Sequence, residues 1–187
     1  LTTLSDANKQ AREEYGYKFN IEQIPAESLA KKNAMWDKED GLRVPRDSYN
    51  SYMFPVEDPK ISIVDKFKFH GQEFVKNFDG GQALHLNLDE TPTKEGYKAL
   101  ISLAIREGCE YFTTNVLRTC CEECGHVEFS KEDKCVVCDS EDISHATRVI
   151  GYLKKIPSFS VPRQEEAALR HYNDTDDIDK LNEEGEE

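Results

Sequence analysis

Length, composition and charge exclude several classes of protein. The chain has 187 residues, which can bury the core of one ordinary domain, or of a larger piece with a small satellite. Its net charge of −13 argues against a nucleic-acid partner, because a groove for nucleic acid needs a basic face. No apolar run approaches the roughly 20 residues that cross a bilayer, so we expect no membrane span. The chain begins with Leu1 rather than Met, and we expect a fragment, a processed product or a subunit of a split enzyme.

The N-terminal third predicts two helices, a short strand and a long irregular stretch. Ser5 suits an N-cap, and the polar helix that it opens runs to Glu14, before a glycine. Residues 17–21 alternate as a strand does, and a second helix is expected over 25–36. Residues 37–79 carry three prolines and no sustained period, which predicts long loops around one short element. This order of elements is typical of α/β folds.

A βαβ unit follows. Residues 83–88 form its first predicted strand, and residues 110–116 form its second. The helix between them is expected to begin at Thr91 and Pro92, an N-cap and N1 pair, and to end at Gly108. Such units are joined right-handedly in parallel sheets or barrels. We therefore predict an α/β fold for this part of the chain.

The residues after 116 differ in composition from those before, and they predict two further parts of the chain. Cysteine pairs, a glycine segment and a short polar helix fill residues 117–172. Eight acids and one base lie in residues 174–187, and so polar a stretch offers too little apolar surface to offset the entropy lost on ordering. We therefore divide the chain into an α/β part at 1–116, a cysteine and glycine module at 117–172, and an acidic disordered tail at 173–187.

Four of the six cysteines form two C-x-x-C pairs with ten residues between them. Each pair can point two thiolates at one ion, and two pairs complete a tetrahedral shell around structural zinc, with no open catalytic position. An iron centre of rubredoxin type, a redox dithiol pair and incidental cysteines are the alternatives. Metal-ligand spacing, rather than a disulfide pattern, also indicates a reducing, cytoplasmic setting. The predicted Zn²⁺ ligands are Cys121, Cys124, Cys135 and Cys138.

A glycine in an apolar setting lies thirteen residues after the last of these cysteines, in the run Arg148-Val149-Ile150-Gly151-Tyr152. This run resembles the R-V-x-G-Y loop of glycyl radical enzymes. A backbone Cα radical is stabilised when it is planar, and only a residue without Cβ reaches that geometry without steric cost. We therefore predict that Gly151 carries a radical and that Arg148 and Tyr152 anchor the loop. The alternative is an ordinary strand and turn with one glycine.

The combination of zinc module and glycine loop resembles the class III, anaerobic ribonucleoside-triphosphate reductase family, in which a four-cysteine zinc site directly precedes the glycyl radical loop. Upstream segments agree with it: residues 19–27 are similar to the family's N-I-E-Q-x-P-x-E segment, residues 80–85 to its G-G-x-x-x-H strand, and residues 108–112 to its G-C-E-Y-F-like run. Residues 49–54 match the family's Y-S-N-Q-F-type segment only loosely. Pyruvate formate-lyase-like enzymes share the glycine loop but lack this zinc module.

The resemblance implies the C-terminal portion of a ten-stranded α/β barrel, followed by a small zinc-ribbon and glycyl radical module whose loop is inserted into the barrel. The implied reaction is reduction of a ribonucleotide 2′-hydroxyl. A radical-SAM 4Fe-4S activating protein would take a hydrogen atom from Gly151, and the glycyl radical would make a thiyl radical on a cysteine outside this chain. Formate or a thiol system would supply electrons, with no tightly bound organic cofactor. The complete enzyme is implied to be a homodimer.

The sequence supports three functional hypotheses. The first is a radical-bearing part that works only with an N-terminal barrel portion, because the thiyl cysteine and the effector region are expected upstream of Leu1. The second is a stand-alone glycyl-radical subunit that repairs a reductase whose own loop oxygen has cleaved. The third is a zinc-ribbon interaction module without a radical role. The long segment with a βαβ unit favours the first.

Overall fold

The computed structural model describes residues 2–23, 27–44, 49, 52–78, 80–149 and 152–183. These residues form a mixed α/β fold with two separate sheets. The helices are α1 (Thr2–Tyr15), α2 (Glu27–Glu39), α3 (Ile63–Phe69), α4 (Gln72–Val75), α5 (Lys94–Glu107), α6 (Val161–Leu169) and α7 (Asp176–Glu183). The strands are β1 (Leu84–Leu88), β2 (Phe112–Val116), β3 (Arg118–Cys121), β4 (Val127–Glu128), β5 (Ile143–Val149) and β6 (Tyr152–Lys155). In this part of the chain, none of the helices combines the length and the apolar character that a membrane span requires.

The predicted βαβ unit is confirmed, because β1 and β2 pair in parallel with α5 between them in sequence. Thr93 caps α5 by accepting a hydrogen bond from the N–H of Gly96 at 3.0 Å, so the helix begins later than the predicted pair at 91 and 92. Gly108 ends the helix with φ of +72°, and a Cβ at this position would lie 2.9 Å from the Cβ of Gln72. The left-handed backbone and the close approach both require glycine there.

The core lies between β1 and the helices α3 and α5. Leu100 of α5 and Phe67 of α3 are fully buried in it, and burial of such side chains stabilises the fold by about 1.5–3 kcal/mol each. Because side chains alternate along a strand, His85 and Asn87 lie on the other face of β1 from its leucines. The fully buried leucines of β1 are Leu84, Leu86 and Leu88.

The second sheet is antiparallel, in the order β4-β3-β5-β6. β5 pairs with β3 as far as Ala146. Beyond that residue, β5 continues with β6 to the pair of Val149 with Tyr152. The residues that connect these two strands, Ile150 and Gly151, lie outside the described residues.

The N-terminal segment agrees with the prediction in its helices but not in its strand. α1 covers the first predicted helix, and α2 covers the second except for its start at Pro25, which lies outside the described residues. Residues 17–21 do not form a strand, and the neighbouring pairing is a single bridge between Glu22 and Gly81. Alternation alone does not make a strand, because a strand also needs a neighbouring strand; here the N–H and C=O of Phe19 bond to the side chain of Asn8 instead.

The C-terminal segment differs from the predicted disordered tail. Asp176–Glu183 form α7, whose Ile178 is 1% exposed and lies in the same core as α5. The N–H of Asn173 donates to the C=O of Asn87 at 3.0 Å, and the C=O of Asn173 accepts from the N–H of Asp89 at 3.0 Å. The count of charged residues did not predict this helix, because Ile178 and the leucine three positions later give the helix an apolar side.

Candidate functional site

The structure brings together the sulfur atoms of the four predicted zinc ligands, all within 4.8 Å of one another. Cys121 ends β3 and Cys124 follows in a tight turn, where the N–H of Gly125 donates to the C=O of Cys121 at 3.2 Å. Gly125 has φ of +76°, which explains a glycine directly after the first pair. In the second turn, the N–H of Asp139 donates to the C=O of Cys135 at 2.9 Å. Each pair therefore lies on a turn that its own backbone stabilises.

The distances in this four-cysteine group suit a metal ion with four thiolate ligands. The sulfurs of Cys121 and Cys138 are 3.6 Å apart, and those of Cys124 and Cys135 are also 3.6 Å apart. Four sulfurs at ~2.3 Å from zinc, at tetrahedral angles, would be about 3.8 Å apart. The N–H of Cys124 approaches the sulfur of Cys121 at 3.4 Å, and the N–H of Val137 approaches that of Cys135 at 3.4 Å. Such contacts support thiolate ligands from outside the metal shell.

The thiols of the four-cysteine group affect one another's acidity. The backbone hydrogen bond from Cys124 lowers the pKa of Cys121 to about 6. A backbone hydrogen bond from Ser140 lowers the pKa of Cys138, but burial and the neighbouring cysteines raise it to about 12. Four thiols this close cannot all ionise without a compensating positive charge. A divalent metal ion would supply that charge.

The two remaining cysteines lie apart from the four-cysteine group. Cys120 is buried in β3, where it pairs with Val127 of β4. Cys109 is buried after α5, where burial raises the pKa of its thiol to about 11 and its sulfur lies 3.6 Å from the C=O of Tyr111. Among the described residues, neither sulfur belongs to the metal-binding group. A buried, protonated thiol such as that of Cys109 is a poor nucleophile.

One face of the parallel sheet is polar and contacts β5. Asn87 lies opposite Asn115 in the register of β1 and β2, so their side chains share this face. The Nδ2 of Asn115 donates to the Oδ1 of Asn87 at 2.7 Å. The Oδ1 of Asn115 accepts from the hydroxyl of Thr147 and from the N–H of Arg148, both at 2.9 Å. Asn115 therefore joins the α/β part to the strand that leads to Gly151.

Arg148, a predicted anchor of the glycine loop, contacts the same face of the sheet. Its Nη1 donates to the Oγ1 of Thr113 at 2.9 Å, and its C=O accepts from the Nη1 of Arg170 at 3.3 Å. Tyr152, the other predicted anchor, begins β6. Gly151 itself lies outside the described residues.

A buried carboxylate holds Arg170 in place. Glu166 forms ion pairs with the Nε of Arg170 at 2.7 Å and with Arg163. Burial would raise the pKa of Glu166, but Arg170 and Arg163 hold it below its ordinary value. Burial would likewise lower the pKa of Arg170, but Tyr52 and Glu166 raise it. Glu166 therefore pairs with both guanidinium groups.

Burial also lowers the pKa of two other basic side chains in this part of the fold, His85 and Lys66. Burial, and then the charges of Arg170 and Arg148, lower the pKa of His85 below its ordinary value. Lys66 of α3 is 2% exposed and donates to the side chain of Asn173.

Sequence reasoning missed Asn87, Asn115 and Arg170. Asparagine is depleted in strands, so two asparagines inside the predicted strands at 83–88 and 110–116 are a signal for buried polar contacts. Arg170 offers no such signal, because an Arg–Glu pair four residues apart is also common on exposed helices.

A parallel βαβ unit followed by a sheet with a four-cysteine group defines a mixed α/β protein with a candidate metal centre. The model of the family described as anaerobic ribonucleoside-triphosphate reductase matches residues 1–172. The chain belongs to this family. No curated protein sequence matches the chain.

Solved structures similar to this chain carry related descriptions. One, described as an anaerobic ribonucleotide reductase, superposes with a TM-score of 0.78 at 28% identity, over 92% of this chain and 28% of that one. The Thermotoga maritima anaerobic ribonucleotide reductase in complex with dATP and CTP has a TM-score of 0.71 at 28% identity, over 88% of this chain and 27% of its own. The same enzyme with glycerol in the active site has a TM-score of 0.72 at 28% identity, over 88% and 26%. The chain thus spans little more than a quarter of these structures.

Proposed function

We propose that this chain is the radical-bearing part of an anaerobic ribonucleotide reductase, an oxidoreductase that converts ribonucleotides to deoxyribonucleotides. The observation that carries the proposal is a four-cysteine group beside a hairpin whose connecting residues include Gly151, in a chain of this family. The Thermotoga maritima relative is in complex with dATP and CTP, which supports a nucleotide substrate here.

In this proposal the radical is stored on Gly151, because a residue without Cβ can become planar at Cα without steric cost. The glycyl radical takes a hydrogen atom from a cysteine outside this chain, and the resulting thiyl radical takes the 3′-hydrogen of the substrate. Arg148 and Tyr152 anchor the loop. The contacts of Arg148 with Thr113, Asn115 and Arg170 support an anchoring role for that residue.

The four-cysteine group holds structural Zn²⁺ in this proposal. Four protein ligands close the shell, so the ion stabilises the fold rather than the reaction. Its contribution is to link the end of β3 to the turn that precedes β5, where the module has little apolar core of its own.

The proposed function also implies partners for this chain. A radical-SAM 4Fe-4S protein activates Gly151, and an upstream portion completes a ten-stranded barrel. The parallel sheet of the described residues has two strands, β1 and β2, and a strand at the edge of a sheet can accept a further strand, which supports this. At the C-terminal end of β1, Asn173 already occupies the outer edge. We also propose a homodimer of the complete enzyme, working in the cytoplasm.

The two other hypotheses have less support. A stand-alone repair subunit would need little more than the glycine loop and its flanks, whereas the family model matches residues 1–172. A zinc-ribbon interaction module would likewise not require the βαβ unit. The radical-bearing part accounts for the whole of the matched segment.

Electron paramagnetic resonance tests the radical directly. After anaerobic activation with the radical-SAM partner, in the presence of the upstream portion, the chain should show a doublet from the single α-hydrogen of a glycyl radical. Gly151→Ala should abolish the doublet, and Gly41→Asn, at an exposed turn with φ of +76° that asparagine tolerates, should retain it. A doublet that persists in Gly151→Ala would refute the assignment.

A further inference from the structure

Two side chains from other elements cover the open edge of the β5–β6 hairpin. Within the described ranges, β5 pairs with β3 as far as Ala146, so residues 147–149 have a strand partner on one side, β6. The N–H of Arg148 donates to the Oδ1 of Asn115 at 2.9 Å. The C=O of Arg148 accepts from the Nη1 of Arg170 at 3.3 Å. Both main-chain polar groups of Arg148 thus have the partners that a neighbouring strand would otherwise provide.

The surroundings of Asn115 allow one orientation of its amide. The side chain is 1% exposed, and its Oδ1 also accepts from the hydroxyl of Thr147 at 2.9 Å. Its Nδ2 donates to the Oδ1 of Asn87 at 2.7 Å, and the same oxygen accepts from the hydroxyl of Tyr52 at 3.3 Å. A reversed amide would set the NH₂ of Asn115 against the N–H of Arg148. The Oδ1 of Asn115, which accepts hydrogen bonds from β5, is therefore held in place by contacts within the α/β part.

Arg170 is fixed in a similar way by α6. Its Nε and Nη2 donate to the two carboxylate oxygens of Glu166 at 2.7 and 3.0 Å. This bidentate pair sets the plane of the guanidinium group and directs Nη1 to the C=O of Arg148. Because the side chain of Arg170 is 3% exposed, water does not compete strongly for these contacts.

We propose that Asn115 is a positioning residue, which fixes the N–H of Arg148 and thereby the hairpin end that carries Gly151, while Arg170 holds the C=O of the same residue. The role given to Gly151 rests on the proposed function. Gly151 lies three residues beyond Arg148. Hydrogen-atom transfer to or from it needs a fixed geometry, because a displacement of ~1 Å can cost about 10²-fold in rate. Loss of the Asn115 contact frees the strand that leads to the glycine.

Amide hydrogen exchange of the whole chain tests this contact without any radical. Asn115→Leu has a similar volume but no acceptor, so the amide of Arg148 should exchange at least about tenfold faster. Asn115→Asp keeps the acceptor, and rotation of the Asn87 amide would present its NH₂ to the second carboxylate oxygen, so the Arg148 amide should stay within about threefold of the wild type. Thr114→Val loses a hydroxyl contact with Tyr97 on the opposite face of β2 and should leave the Arg148 amide unchanged.

The exchange experiment can overturn the proposal. Wild-type protection of the Arg148 amide in Asn115→Leu would contradict it. Equal loss of protection in Asn115→Asp and Asn115→Leu would also contradict it, because the hydrogen-bond acceptor would then not be the cause of the protection. Protected amides in β3 and β4 show that a variant is folded. Asn115→Ser, which is too short to reach β5, carries the same expectation if Asn115→Leu does not fold.

Paramagnetic resonance then tests the consequence for the radical. If the activated wild type gives a doublet, Asn115→Leu should give about tenfold less signal, and Asn115→Asp should restore most of it. A wild-type yield in an Asn115→Leu chain that has lost protection at Arg148 would overturn the positioning role. Absence of the doublet from the wild type would instead contradict the proposed function, while hydrogen exchange still decides on the contact.

Discussion

The ammonium group of Lys66 donates a hydrogen bond to the side-chain oxygen of Asn173, and so joins α3 to the segment before α7. Both residues are buried, and they are 107 positions apart in sequence. Lysine is almost never buried in this way, and burial lowers the pKa of Lys66 from 10.5 to about 8. The contact therefore ties the acidic C-terminal segment to the core at the cost of a desolvated charge.

This cost predicts a pH dependence of stability. The pKa of Lys66 is about 8 in the folded chain and 10.5 in its ordinary state, so between these values the unfolded chain binds more protons and the free energy of unfolding rises with pH. In Lys66→Met this contribution is absent. We expect the wild type to gain stability relative to Lys66→Met between about pH 8 and about pH 10.5, measured by denaturant unfolding. Lys68→Met, at an exposed position of the same helix, should show no such change, and a pH-independent difference for Lys66→Met would contradict the desolvation argument.

The four-cysteine group predicts a defined metal content. Metal analysis of the purified chain should find about one zinc ion per chain, because four thiolates complete one tetrahedral shell. Cys121→Ser combined with Cys135→Ser removes one ligand from each pair and should abolish zinc binding. Cys120→Ser, adjacent in sequence but outside the group, is the matched control and should retain zinc. Full zinc content in the double variant would refute the ligand set.

The packing of α7 predicts that the C-terminal segment contributes to stability. Ile178 is 1% exposed, so Ile178→Ala should lower the free energy of unfolding by about 3 kcal/mol, through lost burial and the cavity left behind. Ile105→Ala removes the same atoms from a side chain that is 76% exposed and should change stability by less than about 0.5 kcal/mol. Equal effects of the two substitutions in denaturant unfolding would show that α7 is not packed on the core.

The buried ion pairs of Glu166 predict a large effect of removing its charge. Glu166→Gln leaves Arg163 and Arg170 without their shared carboxylate and should destabilise the chain by about 3–5 kcal/mol. Because the pKa of Glu166 is held below its ordinary value of 4.5, its contribution is present above that pH and is lost as the pH falls through the folded value. Glu165→Gln, at the exposed neighbouring position, should have little effect. Thermal unfolding of the three proteins at neutral and acid pH checks both statements.

Features that depend on residues close in sequence were predictable. The two C-x-x-C pairs form their turns from a few adjacent residues, and the sulfurs of Cys121 and Cys138 meet as the spacing predicts. The alternation of leucines from Leu84 to Leu88 predicts a strand with one buried face, and Gly108 ends the helix that follows. Thr93 was missed as the N-cap by two positions, because several residues in that turn offer similar capping chemistry.

Features that depend on distant partners were not predictable. Residues 17–21 alternate as well as β1 does, but among the described residues the structure pairs them with no strand. The acidic tail has the composition of a disordered segment, yet Ile178 packs in the same core as α5. Composition measures the average polarity of a segment, whereas ordering depends on whether its few apolar side chains meet a complementary surface.

The sequence by itself determined the family resemblance, the βαβ unit and the grouping of four cysteines, because these follow from local spacing and periodicity. Only the tertiary structure decided that Asn115 meets Thr147 and Arg148, and that Arg170 completes the edge of the same hairpin. These contacts join strands and helices whose relative positions result from the packing of the whole fold. A buried hydrogen bond between residues far apart in sequence has no signature in the spacing of either residue.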